Sequence, residues 1–196
     1  MRWPSLRTDR RASRTRLARS LTLAAMLFVM PATAQEVLRE LVRPQVFPPQ
    51  TIARVDLDEA ALIDALLDVL PTLSRYPRPA EPPRLVYLPT AQLRAQACSV
   101  PCPVLAYYAG GSEIFLDHSL NPLINLFDRS VLLHEMVHYL QAQQVDEVRA
   151  MASAGPRERC RLWHAREREA YAIQQNFLTL VHSRASAGRP PGRSNC

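Results

Sequence analysis

The sequence contains no lysine, so all 24 of its basic residues are arginines. We interpret this absence as a compositional bias and not as a sign of function. Seven of the arginines, but only one acidic residue, lie in residues 1–34. The rest of the chain therefore carries equal numbers of basic and acidic residues. The net charge of +6 therefore leaves no basic patch from which nucleic-acid binding could be argued, and we expect no nucleic-acid partner.

The sequence also lacks an apolar run of the roughly twenty residues that a membrane-spanning helix needs. Its best candidate, from Leu21 to Met30, follows an arginine-rich start and precedes Ala32-Thr33-Ala34. A basic segment, a short apolar segment and an A-x-A site are typical of a secretory signal peptide. We predict a signal peptide over residues 1–34 and an exported mature chain, periplasmic or secreted, with no membrane span. An uncleaved anchor is the alternative.

The four cysteines lack the paired C-x-x-C spacing of a cysteine-based metal site. An even number of cysteines in an exported protein favours disulfide bonds, and three pairings are possible. The short loop between Cys98 and Cys102 makes these two the first expected pair. Cys160 would then pair with Cys196 and tie the C-terminal tail to the last helix.

The composition, 196 residues of which 47% are hydrophobic, allows one compact domain with a sizeable core. We expect a single domain over residues 35–196, with an extended lead-in at 35–50 and a tail at 185–196. Proline-rich sequence marks the first of these segments, and glycine and proline mark the second. No internal repeat divides the chain.

Helices and strands are both predicted, which makes the domain α+β. Asp56 and Glu59 form a capping box ahead of apolar residues at helical spacing, and Pro71 is expected to end that helix. A second helix, with Asp128 as its N-cap, is predicted from about 129 to 144. After a charged turn, the last helix is predicted from about 156 to 183.

Three short apolar segments, 84–88, 104–108 and 113–117, are predicted to be strands. The last two flank Gly110-Gly111 and should form a β-hairpin. We expect this short antiparallel sheet to pack on the 129–144 helix and on the last helix. An extended peptide could pair with an exposed edge of such a sheet.

The predicted 129–144 helix contains His134-Glu135-Met136-Val137-His138, the H-E-x-x-H pattern. Residues four apart share a helix face, so His134 and His138 can supply two ligands to one metal ion. Glu135 follows the first histidine and could deprotonate a water on that metal. The pattern predicts a zinc site. The alternative is a buried helix with two hydrogen-bonded histidines and an unrelated glutamate.

A catalytic zinc site needs a third protein ligand and one open position. The last helix offers Glu158, Glu167 and Glu169. Projected at about 100° per residue, Glu167 falls within the apolar stripe of this helix, whereas the other two lie with arginines on a charged face. A buried carboxylate is costly unless it is paired or bound to metal. We therefore predict Glu167 as the third ligand and keep Glu169 as the alternative.

With these residues the sequence resembles the gluzincins, zinc metallopeptidases that combine H-E-x-x-H with a glutamate on a following helix. The segment from Glu167 to Tyr171, E-R-E-A-Y, resembles the E-x-E-A-D segment of the CAAX-prenyl-protease and heat-shock-protease group. The first glutamate of that segment is the metal ligand there, which implies the same role for Glu167. The resemblance spans only residues 132–176. The sequence departs from it at Tyr171, where that group has an aspartate that supports a zinc-bound histidine, and it implies a small zincin-like domain.

The predicted function is therefore a zinc-dependent hydrolase, with Glu135 as general base and a peptide or protein as substrate. Tyr171 could accept a hydrogen bond from a ligand imidazole or face the developing oxyanion. Tyr139, His164 and His118 are further candidates for the second of these roles. Two alternatives stay open: an inactive zinc-bearing binding or scaffold protein of the cell envelope, and a hydrolase of a non-peptide amide.

Overall fold

The computed structural model describes residues 57–99 and 102–190. The predicted signal peptide, the lead-in, Asp56 and Cys196 lie outside the described residues. The described elements, in chain order, are α1 Glu59–Leu73, β1 Arg84–Leu88, α2 Thr90–Ala97, β2 Ala106–Tyr108, β3 Glu113–Asp117, α3 Leu126–Ala142, α4 Val145–Ser153 and α5 Pro156–Leu180. They form an α+β domain, as predicted. Within these ranges, no helix combines the length and the apolar character that crossing a membrane requires.

The strands form one three-stranded sheet with β3 at its centre. β2 pairs with β3 antiparallel through the predicted hairpin, although it begins at Ala106 and not at 104. The turn uses Gly110 and Gly111 at φ values of 105° and 76°, which side chains other than glycine rarely adopt. β1 pairs with β3 in parallel, so the sheet is mixed and the expectation of a purely antiparallel sheet is wrong. Parallel neighbours need a crossover, which the segment containing α2 and β2 provides.

Helix α1 differs from its prediction at both ends. Asp58, and not Asp56, is the N-cap, and its carboxylate accepts a hydrogen bond from the Ala61 N–H at 2.7 Å. Pro71 lies inside the last turn and does not end the helix. A proline near a helix end removes a single backbone hydrogen bond, and the Ser74 N–H still reaches the Leu70 carbonyl.

Helix α3 begins earlier than predicted because Asn125, and not Asp128, is its N-cap. The Asn125 side chain accepts hydrogen bonds from the N–H groups of Phe127 and Asp128. Asp128 lies inside the first turn, where its carboxylate accepts the Asn121 N–H at 2.8 Å. Both residues satisfy backbone donors at the start of α3, but only Asn125 has the extended backbone of a cap.

Two helices were not predicted. Helix α4 stands where a charged turn was expected, and none of its residues is buried. Helix α2 buries only Leu93. The periodicity of apolar residues that reveals a helix comes from packing against a core, so short helices at the surface carry little of it. Helix α5 ends at Leu180, slightly before its predicted end.

The core surrounds α3, which is buried along most of its length and contacts α4, α5, β2 and β3. Helix α1 adds a row of leucines, and α5 adds the apolar stripe that the projection identified. The most deeply buried apolar residues include Leu62, Leu66, Leu67, Leu70, Ile114, Leu116, Leu132, Leu133, Met136, Val137, Ala170 and Phe177. This packing holds α3 and α5 side by side.

Cys98 and Cys102 form a disulfide bond, as expected, with their Cα atoms 6.3 Å apart. The second expected pair, Cys160 with Cys196, cannot be described in the same way because Cys196 lies outside the described residues. The bridge that is described closes the short loop after α2.

Replacing Asp58 by alanine should lower the free energy of unfolding by about 1 kcal/mol, because it removes the side-chain cap of α1. Asp58→Asn is the matched control, since asparagine caps a helix as well as aspartate does. Chemical denaturation of both variants measures the difference. Equal stability of Asp58→Ala and the parent protein would contradict the assignment of Asp58 as the cap.

Candidate metal centre

Helices α3 and α5 bring His134, His138 and Glu167 together. The two histidine Nε2 atoms are 3.2 Å apart. The carboxylate oxygens of Glu167 lie 3.2 Å from His138 Nε2 and 3.6 Å from His134 Nε2. One ligand atom from each residue lies within 4.8 Å of the others, so this group could hold a metal ion. The three side chains are only 9–14% exposed.

The position of Glu167 follows from the apolar stripe of α5. Ala170, Ile173 and Phe177 are buried in the core, and Glu167 lies one turn before Ala170 on the same side of the helix. Packing this stripe against α3 therefore carries the Glu167 carboxylate to the two histidines.

Glu169 is not part of this group. Its Oε2 accepts hydrogen bonds from the Tyr76 hydroxyl at 2.6 Å and from the Gln141 amide at 3.0 Å. Its Oε1 is 3.3 Å from Arg75 Nε. The expectation that Glu169 belongs to a solvated charged face is wrong, because its carboxylate joins the segment after α1 to α3 and α5. Glu169 contacts Gln141, which in turn contacts the ligand candidate His138.

The contacts of Gln141 determine which ring nitrogen of His138 carries hydrogen. The Gln141 amide nitrogen faces the Glu169 carboxylate, which accepts hydrogen bonds, and its Oε1 accepts from Arg166 Nε at 3.1 Å. The same Oε1 is 2.8 Å from His138 Nδ1. Because an amide oxygen can only accept, His138 carries a hydrogen on Nδ1, so Nε2, which faces Glu167, is the ring nitrogen that can bind a metal.

Gln174 has the same effect on His134. The Ser130 hydroxyl donates to the Phe127 carbonyl at 2.7 Å, so its oxygen is an acceptor for the Gln174 amide nitrogen at 3.0 Å. Gln174 Oε1 then faces His134 Nδ1 at 3.1 Å and accepts its hydrogen. Nε2 is therefore the ring nitrogen of His134 that can bind a metal.

The two glutamines were missed by the sequence analysis. Gln141 is three residues after His138, which places it next to that histidine on the helix surface. Gln174 is a buried polar residue within the apolar stripe of α5. A polar side chain in an apolar stripe is the signal that could have identified it, because a buried amide needs a partner.

Glu135 is also buried beside the two histidines, at 8% exposure. Burial raises the pKa of its carboxyl group above the usual value, and the charge of Glu167 adds to this. The histidines and a hydrogen bond from the Tyr108 backbone N–H act in the opposite direction but do not cancel it. Glu135 is therefore a carboxylate with a raised pKa between β2 and the metal group.

The charges of the ligand side chains are coupled. Burial alone would raise the pKa of Glu167, but hydrogen bonds and charge from His134 and His138 lower it to about 2. Burial alone would lower the pKa of His138, but Glu167 and Glu135 raise it above its ordinary value. The lowered pKa of Glu167 and the raised pKa of His138 both favour a positive charge beside the Glu167 carboxylate. Either a proton or a metal ion can supply that charge.

Tyr171 touches this group through its ring, which packs edge-on against His134 with the centroids 4.6 Å apart. Its expected hydrogen bond to a ligand imidazole is not made, because Gln174 and Gln141 already occupy the two Nδ1 atoms. Burial raises the pKa of the Tyr171 phenol, and the charges of Glu167 and Glu135 add to the shift. The phenol therefore keeps its hydrogen and can donate it.

The other three candidates for oxyanion stabilisation lie elsewhere. The Tyr139 hydroxyl donates to the Glu81 carbonyl at 2.8 Å and so anchors the loop before β1. His118 follows β3 with a side chain that is 62% exposed. His164 lines a separate cavity along α5. Of the four candidates, Tyr171 is the one that contacts a residue of the metal group.

Comparisons with known proteins give no match: no family model, curated protein or solved structure is similar to this chain. The resemblance to the gluzincins therefore stays a prediction from a few residues. A function for this protein has to be derived from the geometry of its site.

Replacing Gln141 by leucine should weaken metal binding about 10- to 100-fold, because His138 loses the acceptor that orients its ring. Gln143→Leu is the matched control: it makes the same change at an exposed position just after α3. Competition with a chelator of known affinity measures both. Equal affinities of the two variants would show that Gln141 does not position His138.

Proposed function

We propose that this protein is a zinc-dependent hydrolase and that its substrate is a peptide or protein. The observation that carries this proposal is the convergence of His134, His138 and Glu167 with Glu135 buried beside them. Two imidazoles and one carboxylate are a ligand set of catalytic zinc sites, which keep one position open.

The distances in the metal group fit zinc. Zinc binds histidine nitrogen and carboxylate oxygen at about 2.0–2.2 Å, so two tetrahedral ligand atoms lie about 3.3–3.5 Å apart. The two imidazole nitrogens are 3.2 Å apart, which is close to this separation, and the two oxygens of Glu167 approach one nitrogen each, at 3.2 Å from His138 and 3.6 Å from His134. Calcium and magnesium prefer oxygen ligands, so two imidazole nitrogens favour a transition metal.

The chain offers a base and a hydrogen-bond donor at this site. A bound zinc ion would polarise a carbonyl group and lower the pKa of water at the open position. Glu135 is placed to take the proton of the attacking water and then to deliver it to the leaving amine. The Tyr171 phenol is the candidate donor to the oxyanion.

The position of the edge strand β2 favours a peptide as substrate over a non-peptide amide. In the antiparallel pairing of β2 with β3, Leu105 receives the Asp117 N–H, so alternate residues Ala106 and Tyr108 direct their backbone groups away from β3. The Tyr108 N–H reaches Glu135. The edge of β2 that faces away from β3 therefore runs past the predicted base, and an extended peptide could pair there with the backbone groups of Ala106.

Replacing Glu135 by glutamine should leave zinc affinity within about twofold of the parent and lower hydrolysis by about 10²-fold or more, because the general base is lost. Quenched fluorescent casein reports peptide hydrolysis by the zinc-loaded protein. A Glu135→Gln variant that stays fully active would exclude Glu135 as the base. A parent protein that holds zinc but cleaves nothing would favour the zinc-bearing binding protein instead.

Replacing Glu167 by alanine should weaken zinc binding by about 10²-fold or more, since it removes one of three ligands. Glu169→Ala is the control, because Glu169 touches the ligands only through Gln141, and its effect should stay within about tenfold. Zinc titration of both variants gives the order. A larger loss in Glu169→Ala would contradict the assignment of Glu167.

A further inference from the structure

Tyr76 lies between α1 and β1, and its hydroxyl group reaches charged side chains of α4 and α5. The residue is buried in the core, with only 2% of its surface exposed. Its hydroxyl oxygen is 2.6 Å from Glu169 Oε2, 3.1 Å from Arg75 Nη2 and 3.3 Å from Glu147 Oε1. A phenol has one hydrogen, which goes to the acceptor at the shortest distance, so Tyr76 donates to Glu169 and accepts from Arg75.

The surroundings of Tyr76 keep its hydroxyl group a donor. Burial raises the pKa of the phenol, and the hydrogen bond to Glu169 adds to the shift. The hydrogen bond from Arg75 acts in the opposite direction but does not cancel it. The phenol therefore keeps its hydrogen and holds one oxygen of the Glu169 carboxylate in place.

Arg75 also contacts Glu169, but from the solvent side. Its Nε is 3.3 Å from Glu169 Oε1, and its side chain is 65% exposed. Ion pairs of exposed side chains are weak and are screened by salt. A short hydrogen bond from a buried phenol to a carboxylate is stronger than such a pair. Tyr76 is therefore the contact that fixes the Glu169 carboxylate beside α3.

The oxygen that Tyr76 holds, Glu169 Oε2, also accepts the hydrogen bond from the Gln141 amide at 3.0 Å. Gln141 is fully buried, and its own oxygen faces His138 Nδ1 at 2.8 Å. If Oε2 moved, the amide nitrogen would lose this acceptor, and less would prevent the amide from turning its nitrogen towards His138. Arg166 contacts the same amide through its Nε and its carbonyl oxygen, so Tyr76 adds to the orientation of Gln141 and does not determine it alone.

We propose that Tyr76 is a positioning residue of the metal site. Its hydroxyl group holds Glu169, which holds Gln141, and the Gln141 oxygen orients the imidazole of His138. The hydroxyl group acts at a distance, because two side chains stand between it and the imidazole. The proposal rests on the metal-binding part of the proposed function but not on hydrolysis.

Replacing Tyr76 by phenylalanine tests the proposal, because it keeps the buried ring and removes only the hydroxyl group. The zinc affinity of the mature protein, measured by competition with a chelator, should fall about three- to tenfold, which is less than in Gln141→Leu. Tyr139→Phe is the matched control, since it also removes a buried hydroxyl group, and Arg75→Gln removes the exposed contact of Glu169. Each of these two controls should change the affinity by less than about twofold.

A double-mutant cycle separates positioning from a general effect on the fold. In the Gln141→Leu background, Tyr76→Phe should change the zinc affinity by less than about twofold, because the side chain through which it acts is gone. Equal affinities of Tyr76→Phe and the parent, an equal loss in either control, or the same loss with and without Gln141 would overturn the role of Tyr76 and leave the metal site intact. A parent protein without zinc affinity would overturn the metal site itself, and this proposal with it.

Discussion

Two imidazole nitrogens and one carboxylate meet between α3 and α5 at separations of 3.2 to 3.6 Å. Such a convergence of electron-pair donors in a space with little water is stable only if a positive charge lies among them. The core of the domain enforces it, because α3 is buried on most sides and the apolar stripe of α5 fixes the second helix. The requirement for a cation is the physical basis of the proposed metal site.

The two glutamates of the E-R-E segment contact different groups. Glu167 faces the histidines, and Glu169 faces away from them and holds the Gln141 amide. That amide in turn fixes the hydrogen of His138 on Nδ1. A spacing of two residues places the carboxylates about 200° apart around α5, so one can act as a ligand while the other orients a ligand from behind.

The sequence allowed the α+β class, the hairpin and the two helices that carry the candidate ligands to be predicted, because each produces a periodic pattern. His134 and His138 followed from their spacing, and Glu167 from its place in an apolar stripe. Helices α2 and α4 escaped prediction because they bury almost nothing. The parallel pairing of β1 with β3 was not predicted, because strand pairing depends on contacts between distant segments and no local pattern records them. The amide partners depend on how the side chains of two helices meet, which spacing along one helix cannot specify.

X-ray absorption at the zinc edge, on mature protein loaded with one equivalent of zinc, tests the central claim most directly. The proposed site predicts nitrogen and oxygen ligands at about 2.0–2.2 Å, outer-shell scattering from two imidazole rings, and no sulfur. Sulfur ligands at about 2.3 Å would place the metal on cysteine and contradict the site. A folded protein that takes up no zinc would contradict it as well, and the convergence at His134, His138 and Glu167 would then be balanced by a proton.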